Sequence, residues 1–184
     1  VDSLRNGGSF FVDKFGPSLP IPKPLDDSGR AVLRNARHLN NHTEEPWFMF
    51  LNLMDAHLPL RPFRGLNHDL HDADARWSSN QYGVWELFER KRDEIPDYWN
   101  TRESLYGAYI DYLNRIVVDF VAAIEATTER ETTVVITADH GENHGEPAAD
   151  GLANHKSSLA EPLLHVPLTV LNAPEGAFAP DELV

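Results

Sequence analysis

The chain has 184 residues, 41% of them hydrophobic and 24% charged, with 29 Asp and Glu against 16 Lys and Arg for a formal charge of −13. That length and apolar content suit one packed core and exclude a disordered or fibrous chain. The acidic balance excludes general nucleic-acid binding and docking on anionic lipid, and the absence of cysteine excludes disulfides, thiolate metal sites and a cysteine nucleophile within the chain.

Residues 6–27, rich in glycine and proline (GGSFFVDKFGPSLPIPKP), predict a loop or extended arm. Asp26 and Asp27 then precede SGRAVLRNARHLNNH, which predicts a capped helix over 28–41 with Ala31, Leu33, Ala36 and Leu39 inward. The run WFMFLNL, 47–53, follows Pro46 and stops at Asp55; it predicts a strand buried on both faces, as in a parallel sheet. Residues 58–80 read as an irregular excursion, and 82–92 as a short helix.

Asn100 with Glu103 resembles a capping box. Leu105, Tyr109, Tyr112, Ile116, Phe120 and Ile124 then recur at helical spacing and predict an amphipathic helix over 101–127. TTVVIT, 132–137, and VPLTVL, 166–171, predict two more buried strands. This order of elements indicates a layered α/β domain, single over 1–184, with 46–171 as its recognisable core.

Two of the strands run straight into polar clusters: Asp55-Ala56-His57 and Asp139-His140-Gly141-Glu142. In open α/β sheets, ligands sit beyond the carboxyl ends of strands, so the two clusters are expected to share one site. Strand 47–53 and strand 132–137 are expected to be near neighbours, joined through the long helix by a right-handed parallel crossover.

ITADHGENHGE followed by NHKSSLAEPLLHVPLTV resembles the second metal-site segment of the sulfatases, in the alkaline phosphatase superfamily. WFMFLNLMDAHLPLRPF resembles an earlier segment of the same family, and the two occur in the family's order with a long helix between. The resemblance implies an alkaline phosphatase-like fold, a mostly parallel sheet flanked by helices. It also implies a sulfuric ester hydrolase acting on a small-molecule or carbohydrate sulfate. Asp139 and His140 would match the metal-ligand pair, for Ca²⁺ or Mg²⁺. Lys156 would match the lysine that holds a sulfate oxygen, and His57 the histidine that contacts the sulfate or the leaving oxygen. His144 and His155 flank the loop and are read as orienting residues rather than ligands.

The family's opening segment carries an Asp pair and a Cys/Ser-x-Pro/Ala-x-Arg motif whose Cys or Ser becomes formylglycine. That motif does not occur here; Asp2-Ser3-Leu4-Arg5 matches the Asp segment only superficially. The chain therefore resembles the later part of the catalytic domain and is expected to be a poor catalyst alone. A phosphodiesterase, phosphonate hydrolase or lipid-headgroup transferase of the same superfamily is the first alternative; a non-catalytic cation-binding α/β domain is the second. The longest strongly apolar stretch, Trp47 to Met54, is too short to span a bilayer, and residues 1–15 do not resemble a signal peptide, which favours a cytoplasmic location.

Four of the sixteen cations are lysines, Lys14, Lys23, Lys91 and Lys156. Acid excess with so few lysines points to adaptation to high salt, which screens acidic self-repulsion. Dialysis into low salt is expected to unfold or precipitate the chain; a melting temperature indifferent to molar KCl would sink this reading.

Overall fold

A computed structural model of the chain describes residues 29–44, 46–58, 60, 62–70, 98–127, 130–145, 155 and 158–177. Its elements are α1 (Gly29–His42), α2 (Tyr98–Thr127), β1 (Val134–Thr137), the single turn α3 (Glu161–Leu164) and β2 (Leu168–Leu171). The expected arm over 6–27, the helix over 82–92 and Lys156 lie outside the described residues.

α2 is the spine. Its buried residues include Arg102, Leu105, Tyr109, Tyr112, Ile116 and Ile124, an apolar stripe at three- and four-residue steps interrupted by one arginine. The helix begins at Tyr98, so Asn100 lies inside the first turn rather than capping it. α1 packs against this stripe through Leu33, and Ala36 on the same helix is also buried. Arg30 Nε donates to the Tyr112 hydroxyl at 3.1 Å and its guanidinium lies 5.5 Å from that ring's centre. Leu39, expected to face the core, is exposed, and Asn40 is buried in its place. At the C-terminus of α1 the Arg130 guanidinium donates to the carbonyls of Asn40 (3.2 Å) and Thr43 (2.8 Å). These carbonyls are left without intrahelical donors, and a cation suits that end of the helix dipole.

Part of the excursion after residue 58 belongs to the core. Leu60, Phe63 and Leu66 are buried with Leu105, Tyr109 and Tyr112, and Phe63 meets both tyrosines edge-on at 5.6 and 4.8 Å.

The described sheet differs from the one expected. β1 pairs with β2, antiparallel, in the register Val134↔Leu171 to Thr137↔Leu168. Segment 46–54 forms no ladder among the described residues. Its burial alternates, as in an extended strand. Leu51 and Leu53 pack on the core, while Phe48 and Phe50 are 89% and 83% exposed. The expectation of burial on both faces is therefore corrected: this segment is covered on the α1–α2 side and bare on the other. Asn172 closes the end of β2 with a left-handed φ of 53°, which asparagine tolerates, and its side chain donates to Glu125 on α2 at 2.9 Å.

Candidate active site

The two polar clusters begin where the extended segments stop. After segment 46–54 the chain turns at once: the His57 amide donates to the Met54 carbonyl at 3.1 Å, so Asp55 and Ala56 occupy the corner. Asp55 is fully buried and lies against Gly29, where a Cβ would stand 2.5 Å from its carboxylate. It stands at the first turn of α1, where the helix dipole favours an anion. The same turn sends His57 outward, exposed.

After β1, Asp139 accepts from the His140 amide at 3.0 Å and its side chain is 88% exposed. Gly141 follows because the backbone of Pro162 and Leu163 in α3 presses on it. Its amide donates to the Leu163 carbonyl at 2.9 Å, and a Cβ there would be driven into the Pro162 carbonyl oxygen. Gly145 has a φ of +88° and lies under the half-buried Trp99 ring.

The same local device follows both extended segments. His57 Nδ1–H donates to the Leu58 carbonyl at 2.6 Å, and His140 Nδ1–H to the Gly141 carbonyl at 2.7 Å. A carbonyl only accepts, so Nδ1 carries the hydrogen in each ring and Nε2 is the atom left to exchange a proton or bind a ligand.

The two histidines, 83 positions apart in sequence, meet on a third. The His155 ring stacks on His140 with centroids 4.2 Å apart and 25° between planes, and it lies 5.3 Å from His57. His155 is held from behind by Glu142, whose Oε2 accepts from Nδ1 at 3.2 Å. The other carboxylate oxygen of Glu142 pairs with Arg102 Nη2 at 3.0 Å, and both side chains are almost fully buried, 5% and 6% exposed. Arg102 also donates to the Tyr98 hydroxyl at 3.2 Å and the Asn143 carbonyl at 3.4 Å. Asn143, itself buried, donates to Ser158 Oγ at 3.0 Å. Burial pushes the Tyr106 phenol up, and the charge of Glu142 adds to the shift; the Tyr106 ring packs at 4.8 Å against His144.

His57 and His140 are thus brought to one place with His155, and Asp139 stands beside His140 with 3.8 Å between Oδ2 and Nε2. Arg102 and Glu142 were not singled out in the sequence. One signal was available: Arg102 falls on the apolar stripe of α2, three residues before Leu105, where a charge requires a buried partner.

The model of the sulfatase family matches residues 14–176. This chain belongs to the sulfatase family. No curated protein and no solved structure matches it. As a sulfatase-family domain it takes the α/β fold of the alkaline phosphatase superfamily, and its family acts on sulfate esters, typically with a divalent cation. Among the described residues of this sulfatase domain no helix is long and apolar enough to cross a membrane.

The fit to a cation is partial. Asp139 and His140 offer an exposed carboxylate and a ring nitrogen on neighbouring residues. No group of three or more His, Asp or Glu among the described residues is gathered to hold a metal ion. Two donors fit one edge of a Ca²⁺ or Mg²⁺ site, which takes six or more ligands.

Proposed function

We propose that this chain supplies part of a site for hydrolysis of sulfuric esters of a small molecule or carbohydrate and is a poor catalyst alone, with His57 and Lys156 binding the transferring sulfuryl group and Asp139 and His140 contributing to a divalent-cation site. The reading is supported above all by the meeting of His57 and His140, each closing a separate chain segment, on the ring of His155. It includes 47–53 as a strand of a layered, mostly parallel sheet; the segment's alternating burial supports an extended strand covered on one face.

The residues divide the work as follows. With Nδ1–H committed to the Leu58 carbonyl, His57 handles protons at Nε2. Protonated there, it donates to the leaving oxygen as general acid. The Lys156 ammonium supplies a charge-assisted hydrogen bond to a sulfuryl oxygen. A bound cation supplies polarisation of the sulfuryl oxygens. The formylglycine motif does not occur in this sequence, so the proposal for this chain concerns binding and proton transfer.

Calorimetric titration with inorganic sulfate tests it. His57→Ala is expected to lose about 1.5–3 kcal/mol of binding, roughly tenfold or more in Kd. Unchanged sulfate affinity in this variant would refute the role of His57, and tighter binding of inorganic phosphate than of sulfate would move the reading to phosphoryl chemistry.

The cation has its own test. Saturating Ca²⁺ or Mg²⁺, at a hundred times Kd, is expected to add about 2.7 kcal/mol of stability. Asp139→Ala should abolish that gain. Equal thermal shifts in the two proteins would remove Asp139 from the ligand set.

A further inference from the structure

The three imidazoles are not held alike. His57 and His140 are tied to carbonyls of their own neighbours in sequence. His155, 14% exposed, is tied to a buried carboxylate, and that carboxylate is tied to a buried arginine from a different element. An Asn or Gln could not replace Glu142 at the junction. One of its oxygens must accept from Arg102 and the other from His155, and an amide has a single acceptor oxygen.

Resting on the sulfate-binding reading above, we propose that Arg102, Glu142 and His155 form a positioning array for the two site histidines. Arg102, from the first turns of α2, fixes the plane of Glu142. Glu142 fixes His155 as the Nδ1–H tautomer and fixes its ring plane. The His155 ring, stacked on His140 and beside His57, sets the orientation of both. None of the three need touch the substrate: they act through His57 and His140. The array also accounts for an arginine on the apolar face of α2 with a buried acid opposite it, where hydrophobic residues would pack at no electrostatic cost.

Two readouts test this on the 184-residue chain: long-range ¹H–¹⁵N NMR of the histidine rings, and titration with inorganic sulfate. In the wild type, His155 is expected to be the Nδ1–H tautomer. Glu142→Gln keeps the shape of the side chain but turns an amide toward either Arg102 or His155. It is expected to change the His155 tautomer, shift the His140 ring nitrogens, and weaken sulfate about tenfold, as losses of such supporting partners do. If Glu142→Gln does not fold, His155→Asn serves instead. Its amide can still donate to Glu142, so the buried pair keeps its partners while the ring is lost, and sulfate is again expected to weaken about tenfold.

An Nε2–H tautomer for wild-type His155 overturns the proposal. So does a folded variant whose His140 nitrogens and sulfate affinity are unchanged. If the wild type binds no sulfate, the sulfate reading fails by itself, and the array is then judged on the His155 tautomer and the His140 response alone.

Discussion

Arg102→Met is expected to cost about 3–5 kcal/mol of folding stability, because it strands the Glu142 carboxylate inside the protein without its cation. The methionine keeps most of the apolar stem, so lost packing contributes little. For a chain of this length the loss corresponds to a fall in Tm of roughly 6–20 °C. Glu142 would keep His155 as a hydrogen-bond partner at 3.2 Å but would lose the 3.0 Å bond from Nη2 and the guanidinium charge. The decisive comparison is the double variant Arg102→Met/Glu142→Leu. With no buried charge left, it is expected to recover most of the loss, since ion pairs of this kind are often no better than the apolar residues that could replace them. Guanidinium denaturation at unchanged m-value measures both. Equal destabilisation in the single and double variants would show that the buried charge is not the source of the effect.

Gly141→Ala is expected to cost about 3 kcal/mol, the upper end for an overpacked site, because the atom its Cβ meets belongs to the backbone. A long side chain could swing away from a new methyl group; the Pro162 carbonyl cannot. Around that position the Pro162 carbonyl carbon and Leu163 Cα also lie within 3.0 and 3.4 Å of the added Cβ. Relief requires the 139–142 turn to part from α3, which breaks the 2.9 Å bond from the Gly141 amide to the Leu163 carbonyl. The same movement displaces the carbonyl of Gly141 that orients the His140 ring. Stability and sulfate affinity should therefore fall together. Gly107→Ala is the control: it lies inside α2 with nothing within 4 Å of its Cβ position. It is expected to gain about 0.5–1 kcal/mol through reduced chain entropy in the unfolded state. A Gly141→Ala protein as stable as the wild type would show that the turn and α3 separate freely.

Read alone, the sequence determined several local elements and the family to which they belong. The long helix was legible because Leu105, Tyr109, Tyr112, Ile116, Phe120 and Ile124 recur at helical spacing, and a period so sustained favours one structure able to turn them to one side. The Asp-His-Gly turn after a β-branched strand was legible because each residue type there has a local reason: an Asp side chain that accepts a neighbouring amide, and a glycine where backbones touch. Strand-end logic led to the expectation that His57 and His140 share a site; their rings both lie against His155, although segment 46–54 forms no ladder among the described residues.

Only the tertiary structure decided the rest. The partner of Arg102 is 40 positions away and that of His155 is 13 positions back, and no local pattern pairs a buried cation with one acid among 29. The antiparallel pairing of β1 with β2 and the bare face of Phe48 and Phe50 were equally out of reach. An apolar, β-branched or aromatic run states that a strand can form; which strand lies beside it, and what covers each face, depends on elements far along the chain. Likewise Leu60, Phe63 and Leu66, lacking a helical or alternating period, read as loop, yet they complete the core because α2 presents Tyr109 and Tyr112 to receive them.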